Sequence, residues 1–269
     1  MFFPSRKERK VIGKKRIILL MLAIFMMSSL HVNGIYAQQL QDPLVIQQVF
    51  SRFPFAEAIP FADGESWGLI YADVYGKIHL LKSTKRGWKV EWEITNLAAK
   101  VRDFFIRDIE SDGYTELIVA TVDGRILIYT LDDYSNVWEN LDDNFTSISA
   151  MEIENVDDDE QLEFIVIADD RIVIIDGYNK NHQWVSERQF KATEILIENV
   201  DNDDQMEIVL NTGKTIDTRF LTVELEWDKP FGERITAFDM NNDGHPEIIG
   251  EFSDYSLRIF DVHAQREVW

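Results

Sequence analysis

The sequence predicts an all-β protein, a β-propeller of four-stranded blades with five blades in the chain. Two series of residues and the apolar runs between them support this fold class. A tryptophan recurs at intervals of 46, 46, 43 and 42 residues, at Trp92, Trp138, Trp184, Trp227 and Trp269. An acidic nonapeptide recurs in phase with the last four tryptophans, at 108–116, 155–163, 199–207 and 239–247. Repeats of about 44 residues accommodate four short strands, which is the size of a propeller blade.

The chain begins with a segment that is typical of a signal peptide, residues 1–37. Seven basic residues precede an apolar run, Ile17 to Leu30, which is shorter than the ~20 residues that a membrane-spanning helix needs. A candidate cleavage position follows Ala37. The alternative is an uncleaved signal anchor. The sequence therefore predicts an exported protein, extracellular or in the periplasm or cell envelope, with no membrane insertion after signal cleavage.

A lead-in segment without repeat character, residues 38–52, separates the signal peptide from the repeats. The first repeat, residues 53–96, contains strand-like runs that begin at Trp67 and Gly76, but it keeps only Asp63 and Gly64 of the acidic loop. We interpret it as a blade without a metal loop.

The four following blades are predicted at 101–140, 146–189, 191–228 and 233–269. Each has a strand before the acidic loop, a strand after it, a hairpin partner and a strand at the tryptophan. A β-solenoid or an open array is the alternative architecture, but its repeats are usually shorter or helical. The sequence leaves open whether five blades close a ring alone or with another chain.

The nonapeptides resemble the Asp-x-[Asp/Asn]-x-Asp-Gly-x-x-[Asp/Glu] loops of FG-GAP and VCBS repeats, which occur in the N-terminal propellers of integrin α-subunits and in exported bacterial proteins. The combined Phe-Gly…Gly-Ala-Pro motif does not occur in the sequence, so the VCBS type is more similar. Integrin propellers have seven blades and this chain supplies five. The resemblance covers residues 53–269 and implies a propeller fold with calcium in its loops.

Alternating oxygen ligands in a short loop suit Ca²⁺, which takes six to eight oxygens. The predicted ligands are Asp108, Glu110, Asp112, Glu116 and the carbonyl of Tyr114 in the second blade. In the third blade they are Asn155, Asp157, Asp159 and Glu163, and in the fourth they are Asn199, Asp201, Asp203 and Glu207. The fifth blade offers Asp239, Asn241, Asp243, Glu247 and the carbonyl of His245. The alternative is that these acidic turns only solvate the surface.

The residue at the sixth position of each loop predicts an order of affinity. Gly113 and Gly244 suit a left-handed turn, whereas Glu160 and Asp204 replace this glycine in the third and fourth blades. The turn residues therefore predict stronger calcium sites in the second and fifth blades, and the weakest in the third.

Composition excludes several classes of function. Without residues 1–37 the chain carries 20 basic and 47 acidic side chains, a net charge of −27, which disfavours binding to nucleic acid or to an anionic membrane. The chain has no cysteine, hence no disulfide and no thiol nucleophile. The histidines show no zinc-ligand spacing, and no serine-hydrolase or phosphate-binding motif is present.

The function predicted from these features is a protein- or glycan-binding or scaffolding module with calcium as its cofactor and no catalytic residue. The partner is an unidentified extracellular protein or glycan. The alternative is a carbohydrate lyase or hydrolase, whose catalytic groups would lie on the first strands of the blades. Those strands carry Arg102, Asp103, Arg107, Glu152, Glu154, Glu194 and Glu198. The repeated tryptophans are expected to pack between blades rather than to bind sugars.

Overall fold

A computed structural model describes residues 55–61, 66–201 and 203–269. The predicted signal peptide, the lead-in segment, Phe53, Asp63 and Gly64 lie outside the described residues.

The described residues form twenty strands in five antiparallel four-stranded sheets, as predicted. The first blade contains β1 (Phe55–Pro60), β2 (Trp67–Ala72), β3 (Ile78–Thr84) and β4 (Gly87–Ile94). The second contains β5 (Val101–Arg107), β6 (Glu116–Thr121), β7 (Ile126–Thr130) and β8 (Asn136–Glu139). The third contains β9 (Ile148–Glu154), β10 (Glu163–Ala168), β11 (Arg171–Asp176) and β12 (His182–Val185). The fourth contains β13 (Ile195–Glu198), β14 (Glu207–Leu210), β15 (Lys214–Asp217) and β16 (Val223–Glu226). The fifth contains β17 (Arg234–Phe238), β18 (Glu247–Glu251), β19 (Leu257–Asp261) and β20 (Arg266–Glu267).

Within each sheet the strands lie in chain order, each paired with the next. The acidic loops connect the first strand of a blade to the second. Because successive strands run in opposite directions, the hairpins between third and fourth strands lie on the same side of the blades as the acidic loops. We call this side the loop face. No helix long and apolar enough to cross a membrane occurs in the described ranges.

The first strands occupy the centre of the assembly, since β5, β9, β13 and β17 contact one another in sequence. Four buried apolar clusters then join consecutive blades, from the first and second to the fourth and fifth. Four of the five repeated tryptophans, Trp92, Trp138, Trp184 and Trp227, pack against these clusters, as expected. Trp92 packs on Tyr129 of the next blade, Trp138 on Phe164 and Trp227 on Phe260, with ring centroids 5.4, 6.4 and 6.2 Å apart.

The end blades differ from the three middle blades. The second strands β6, β10 and β14 are buried along their whole length, whereas β2 and β18 have residues that are only partly buried. Trp269, the last tryptophan of the series, is 69% exposed. Among the described residues, no apolar cluster joins the fifth blade to the first.

Candidate metal centre

The four acidic loops share two hydrogen bonds. In each loop the last glutamate accepts the backbone N–H of the second residue through Oε2. The donor–acceptor pairs are Ile109–Glu116 at 3.2 Å and Val156–Glu163, Val200–Glu207 and Met240–Glu247, each at 2.8 Å. The aspartate at the fifth position accepts the N–H of the seventh residue in every loop. The repeated sequence therefore builds a repeated turn, in which one oxygen of each of these carboxylates is already engaged.

The loops of the third and fourth blades bring carboxylates together. Oxygens of Asp157, Asp159 and Glu163 all lie within 4.8 Å of one another. In the fourth blade, Asp201 and Glu207 form such a group with Glu224, a residue of β16. A third group consists of Asp203, Asp217 and Glu224, so the three groups together contain six of the predicted ligands.

Two glutamates of these groups each have one buried carboxylate oxygen without a hydrogen bond. Glu163 and Glu207 are fully buried, and the Oε1 atom of each forms no hydrogen bond. Leaving a buried acceptor unsatisfied costs about 1–3 kcal/mol, and more when the group is charged. A cation at each Oε1 atom would satisfy it, so the residues fit a metal ion.

Burial and neighbouring carboxylates favour the protonated form of both glutamates. Burial raises the pKa of Glu163 to about 7, and the carboxylates of Asp157, Asp159 and Asp176 add to this effect against the N–H of Val156. Burial raises the pKa of Glu207 to about 8, with Asp201, Glu224 and Asp203 contributing in the same direction. A divalent cation would displace these protons, because it interacts favourably only with the ionised carboxylate.

The predicted asparagine ligands of the third and fourth loops form hydrogen bonds within their own loops. The side-chain amides of Asn155 and Asn199 donate to the carbonyl oxygens of Asp159 and Asp203 at 2.6 and 2.7 Å. They close the loop around the carboxylates that follow.

The loops of the second and fifth blades adopt another backbone conformation. Gly113 and Gly244 have φ of +89° and +96°, as their position predicts, and Ser111 and Asn242 also have positive φ. This turn directs backbone N–H groups at the first aspartate: Asp108 accepts from Asp112 and Gly113, and Asp239 accepts from residues 242, 243 and 244. Glu160 and Asp204 are not among the residues with positive φ.

The predicted ligands of these two loops already have hydrogen-bond donors. Glu110 forms an ion pair with Lys180, Nζ to Oε1 3.0 Å. The amide nitrogen of Asn241 lies between the carboxylates of Asp243 and Glu247, at 2.9 and 2.6 Å. Burial raises the pKa of Glu116 to about 7, and Tyr114 is 62% exposed. The His245 ring stacks on His263. In the described part of the chain, groups of three carboxylates occur only in the third and fourth blades. The geometry therefore favours stronger calcium sites in the third and fourth blades, whereas the turn residues predict stronger sites in the second and fifth.

Sequence reasoning missed Asp217 and Glu224. Asp217 on β15 pairs with Glu207 on the adjacent strand β14, and Glu224 lies on β16, the fourth strand of the same blade. The signal was available in principle, since the in-phase repeats define which outer-strand residues stand beside each loop.

The first strands bring a second charged group to the centre of the blades. Burial raises the pKa of Asp103 and of Glu152 to about 7, although Arg102 and Arg107 oppose the shift, and the pKa of Glu194 is also raised. Arg102 donates to the carbonyls of Ser149 and Thr193, one from the third blade and one at the start of the fourth. The arginine thereby ties three blades together.

Comparisons with known proteins support the fold. No protein-family model matches the chain, and no curated protein is detectably similar to it in sequence. The solved structures that resemble it include BBS1N in complex with ARL6DN, in two crystals soaked with lead or mercury. These show TM-scores of 0.57 and 0.56 and 13% and 12% identity, over 81% of this chain and 67% and 65% of theirs. The V. cholerae biofilm matrix protein Bap1 matches 64% of this chain and 30% of its own at a TM-score of 0.49 and 17% identity.

The similarity to BBS1N at this low identity concerns the fold alone, and it agrees with a propeller built of four-stranded blades. The chain spans about two thirds of the length of BBS1N. The more specific resemblance of the loops to FG-GAP and VCBS repeats stays a prediction.

Proposed function

We propose that this chain is an exported, calcium-binding β-propeller whose loop face binds an extracellular protein or glycan. The observation that supports it most is the unpartnered Oε1 atom of the fully buried Glu163 and Glu207, each within a group of three carboxylates. Calcium would stabilise the loops that position this face.

Calcium fits these groups better than other common cations. All candidate ligands are carboxylate, amide or carbonyl oxygens, which are the ligands of hard cations. The loops offer several oxygens in an irregular arrangement, whereas Mg²⁺ requires near-octahedral geometry and gives up water reluctantly. The groups include no histidine or cysteine, which disfavours zinc.

The loop face also presents exposed aromatic side chains beside the acidic loops. Tyr114, Tyr178, Phe220 and Phe238 are between 62% and 69% exposed. Exposed aromatic residues are enriched in binding surfaces because they bury a large area at low entropic cost. BBS1N, which has a similar fold, was crystallised in complex with ARL6DN, and this supports a protein partner as one form of the proposal.

Thermal unfolding in calcium and in chelator tests the metal part of the proposal. A ligand that binds only the folded state adds RT ln(1 + [L]/Kd), about 2.7 kcal/mol per site at a hundredfold excess over Kd. We expect the melting temperature to rise in millimolar calcium, to return in chelator, and to rise less in magnesium. An unchanged melt would contradict calcium binding.

Export is tested separately from calcium binding. We expect the protein to be recovered outside the cytoplasm of its host, with an N-terminus close to Gln38 when it is sequenced. Recovery in the cytoplasm with Met1 intact would contradict export and leave the metal proposal in place.

Carbohydrate cleavage is the second candidate, and one observation favours it. Asp103 and Glu152, whose pKa values of about 7 would suit a general acid, lie near arginines on the central strands. Release of reducing ends from a panel of polysaccharides, abolished by Glu152→Gln, would support an enzyme. No release from any polysaccharide would favour the binding module.

A further inference from the structure

We propose that the fourth blade holds two divalent cations, with Glu224 as a ligand shared by both. The inference rests on the proposed function, in which calcium is the cofactor of the loops. It adds Asp217 and Glu224, which lie outside the loop motif, to the calcium ligands. One cation would bind Asp201, Glu207 and Glu224. The other would bind Asp203, Asp217 and Glu224.

The geometry assigns Glu224 to both groups. Oxygens of Asp201, Glu207 and Glu224 lie within 4.8 Å of one another, and so do oxygens of Asp203, Asp217 and Glu224. Both groups belong to one blade, because Asp217 ends β15 and Glu224 lies in β16. A carboxylate has two oxygens and can bind one cation through each.

Each of the two groups contains a buried oxygen without a partner. Glu207 is fully buried and Asp217 is 1% exposed. The Oε1 atom of Glu207 and the Oδ2 atom of Asp217 form no hydrogen bond, whereas their other oxygens accept backbone N–H groups from Val200 and Phe220. A single cation bound to one group would satisfy either Glu207 Oε1 or Asp217 Oδ2, but not both. We therefore assign one cation to each group.

The charge of the cluster also requires more than one cation. Asp201, Asp203, Glu207, Asp217 and Glu224 carry up to five negative charges within a small volume. In the part of the chain that the structure describes, none of these residues forms an ion pair with a lysine, arginine or histidine. Two divalent cations would neutralise four of these charges, which repel one another most strongly at the buried carboxylates of Glu207 and Asp217.

The third blade provides an internal comparison. Glu163 pairs with Asp176 in the register in which Glu207 pairs with Asp217. By the same register, Gln183 of β12 occupies the position of Glu224. The side-chain amide of Gln183 donates to Asp157 Oδ2 at 2.8 Å. A neutral donor therefore contacts the third loop where the fourth blade has a further carboxylate, and we assign one cation to the third blade and two to the fourth.

Space for a hydrated ion lies beside the cluster. A cavity of about 180 Å³ is lined by Asp201, Thr215, Glu224 and His263, among others. The Oγ1 atom of Thr215 is buried without a hydrogen bond. Water bound to a cation in this cavity would supply its partner.

Equilibrium dialysis with calcium tests the inference, with the full chain, its Glu224→Gln variant and Glu226→Gln as a control. Glu226 lies on the same strand, is exposed and pairs with Arg188 instead of the cluster. We expect Glu224→Gln to bind at least one calcium ion fewer per chain than the wild type, because both sites lose a carboxylate, and Glu226→Gln to bind the wild-type number.

Thermal melts of the same variants keep the test independent of folding. In chelator we expect Glu224→Gln to melt at or above the wild-type temperature, because it removes one repelling charge. In calcium we expect it to melt below the wild type, an inversion that a purely structural role would not produce. An unchanged calcium count in Glu224→Gln would overturn the shared site while leaving the loop sites intact. No calcium in the wild type would overturn the proposed function itself.

Discussion

The loops of the third and fourth blades and those of the second and fifth share one motif but handle its charge differently. In the second and fifth blades, N–H groups and the side chains of Lys180 and Asn241 contact the carboxylates. In the third and fourth blades, carboxylates converge and a glutamate oxygen is left buried without a partner. A turn glycine therefore favours a well-formed turn, but it does not by itself leave carboxylate oxygens that only a cation could satisfy.

The largest expected effect comes from removing the unpartnered oxygens. Glu163→Gln and Glu207→Gln keep the shape of the side chain but remove its charge. We expect Glu163→Gln to abolish calcium binding at the third blade and Glu207→Gln to abolish it at the site of Asp201, Glu207 and Glu224. Each loss would remove about 2.7 kcal/mol of calcium-induced stabilisation at a hundredfold excess over Kd, or about 5–10 °C in melting temperature for a domain of this size.

Glu116→Gln and Glu247→Gln are the matched controls, since they change the equivalent residue in the other two loops. We expect them to lose less of the calcium effect. Equal losses in all four variants, measured by melts with and without calcium, would contradict the distinction between the two pairs of loops.

A smaller effect is expected from the aspartates at the fifth position, and here the sequence and the structure make opposite predictions. The turn glycines predict that Asp112→Ala and Asp243→Ala lose more calcium-induced stabilisation than Asp159→Ala. The convergence of Asp157, Asp159 and Glu163 predicts that Asp159→Ala loses more. Calcium titration of the three variants by calorimetry decides between them, and we expect the order that convergence gives.

The fold could be predicted from the sequence because its signals are periodic. Trp92, Trp138 and Trp227 repeat once per blade, and each packs on the next blade. The turn at Gly113 and Gly244 was also predictable, since a positive φ favours glycine. By contrast, Asp217 and Glu224 could not be recognised from the loop motif, because strand pairing brings them to the loop from later in the chain.

The ion pair of Glu110 with Lys180 could not be predicted from the loop motif either, because the fold brings Lys180 to the loop from another blade. Lys180 belongs to the third blade and is seventy residues away in sequence. A local motif identifies the residues that can bind a cation, but neighbouring elements decide which of them already have a partner.

The raised pKa values of Glu163 and Glu207 predict how the stability of the chain depends on pH. Glu163 and Glu207 have pKa values of about 7 and 8 in the metal-free fold, against an ordinary value of 4.5. Between pH 4.5 and 8 the folded chain binds more protons than the unfolded chain, so its free energy of unfolding falls as the pH rises. We expect melts in chelator to show lower stability at pH 8 than at pH 5.5.

Calcium should remove most of this loss, because the cation replaces the protons on these carboxylates. Glu116, Asp103 and Glu152 also have raised pKa values, so part of the slope should remain in Glu163→Gln. A protein that is more stable at pH 8 than at pH 5.5 in chelator would contradict the raised pKa values of Glu163 and Glu207.

The smallest expected effect concerns the turn residues themselves. A Cβ atom at Gly113 or Gly244 meets no atom within 4 Å, so alanine there would cost only backbone strain, about 1 kcal/mol. Glu160→Gly should not increase calcium affinity, because Glu160 does not have a positive φ. A clear gain in affinity for Glu160→Gly, by calorimetry, would show that the third loop becomes left-handed when calcium binds.

The calcium content of the purified protein shows whether the converging carboxylates of the third and fourth blades bind calcium. The full chain would be equilibrated with calcium, separated from free ions and examined by elemental analysis beside a Glu163→Gln, Glu207→Gln double variant. We expect about three calcium ions per chain from the third and fourth blades, and a loss of most of them in the double variant. A wild-type chain without calcium, or a double variant that retains the full wild-type content, would contradict it.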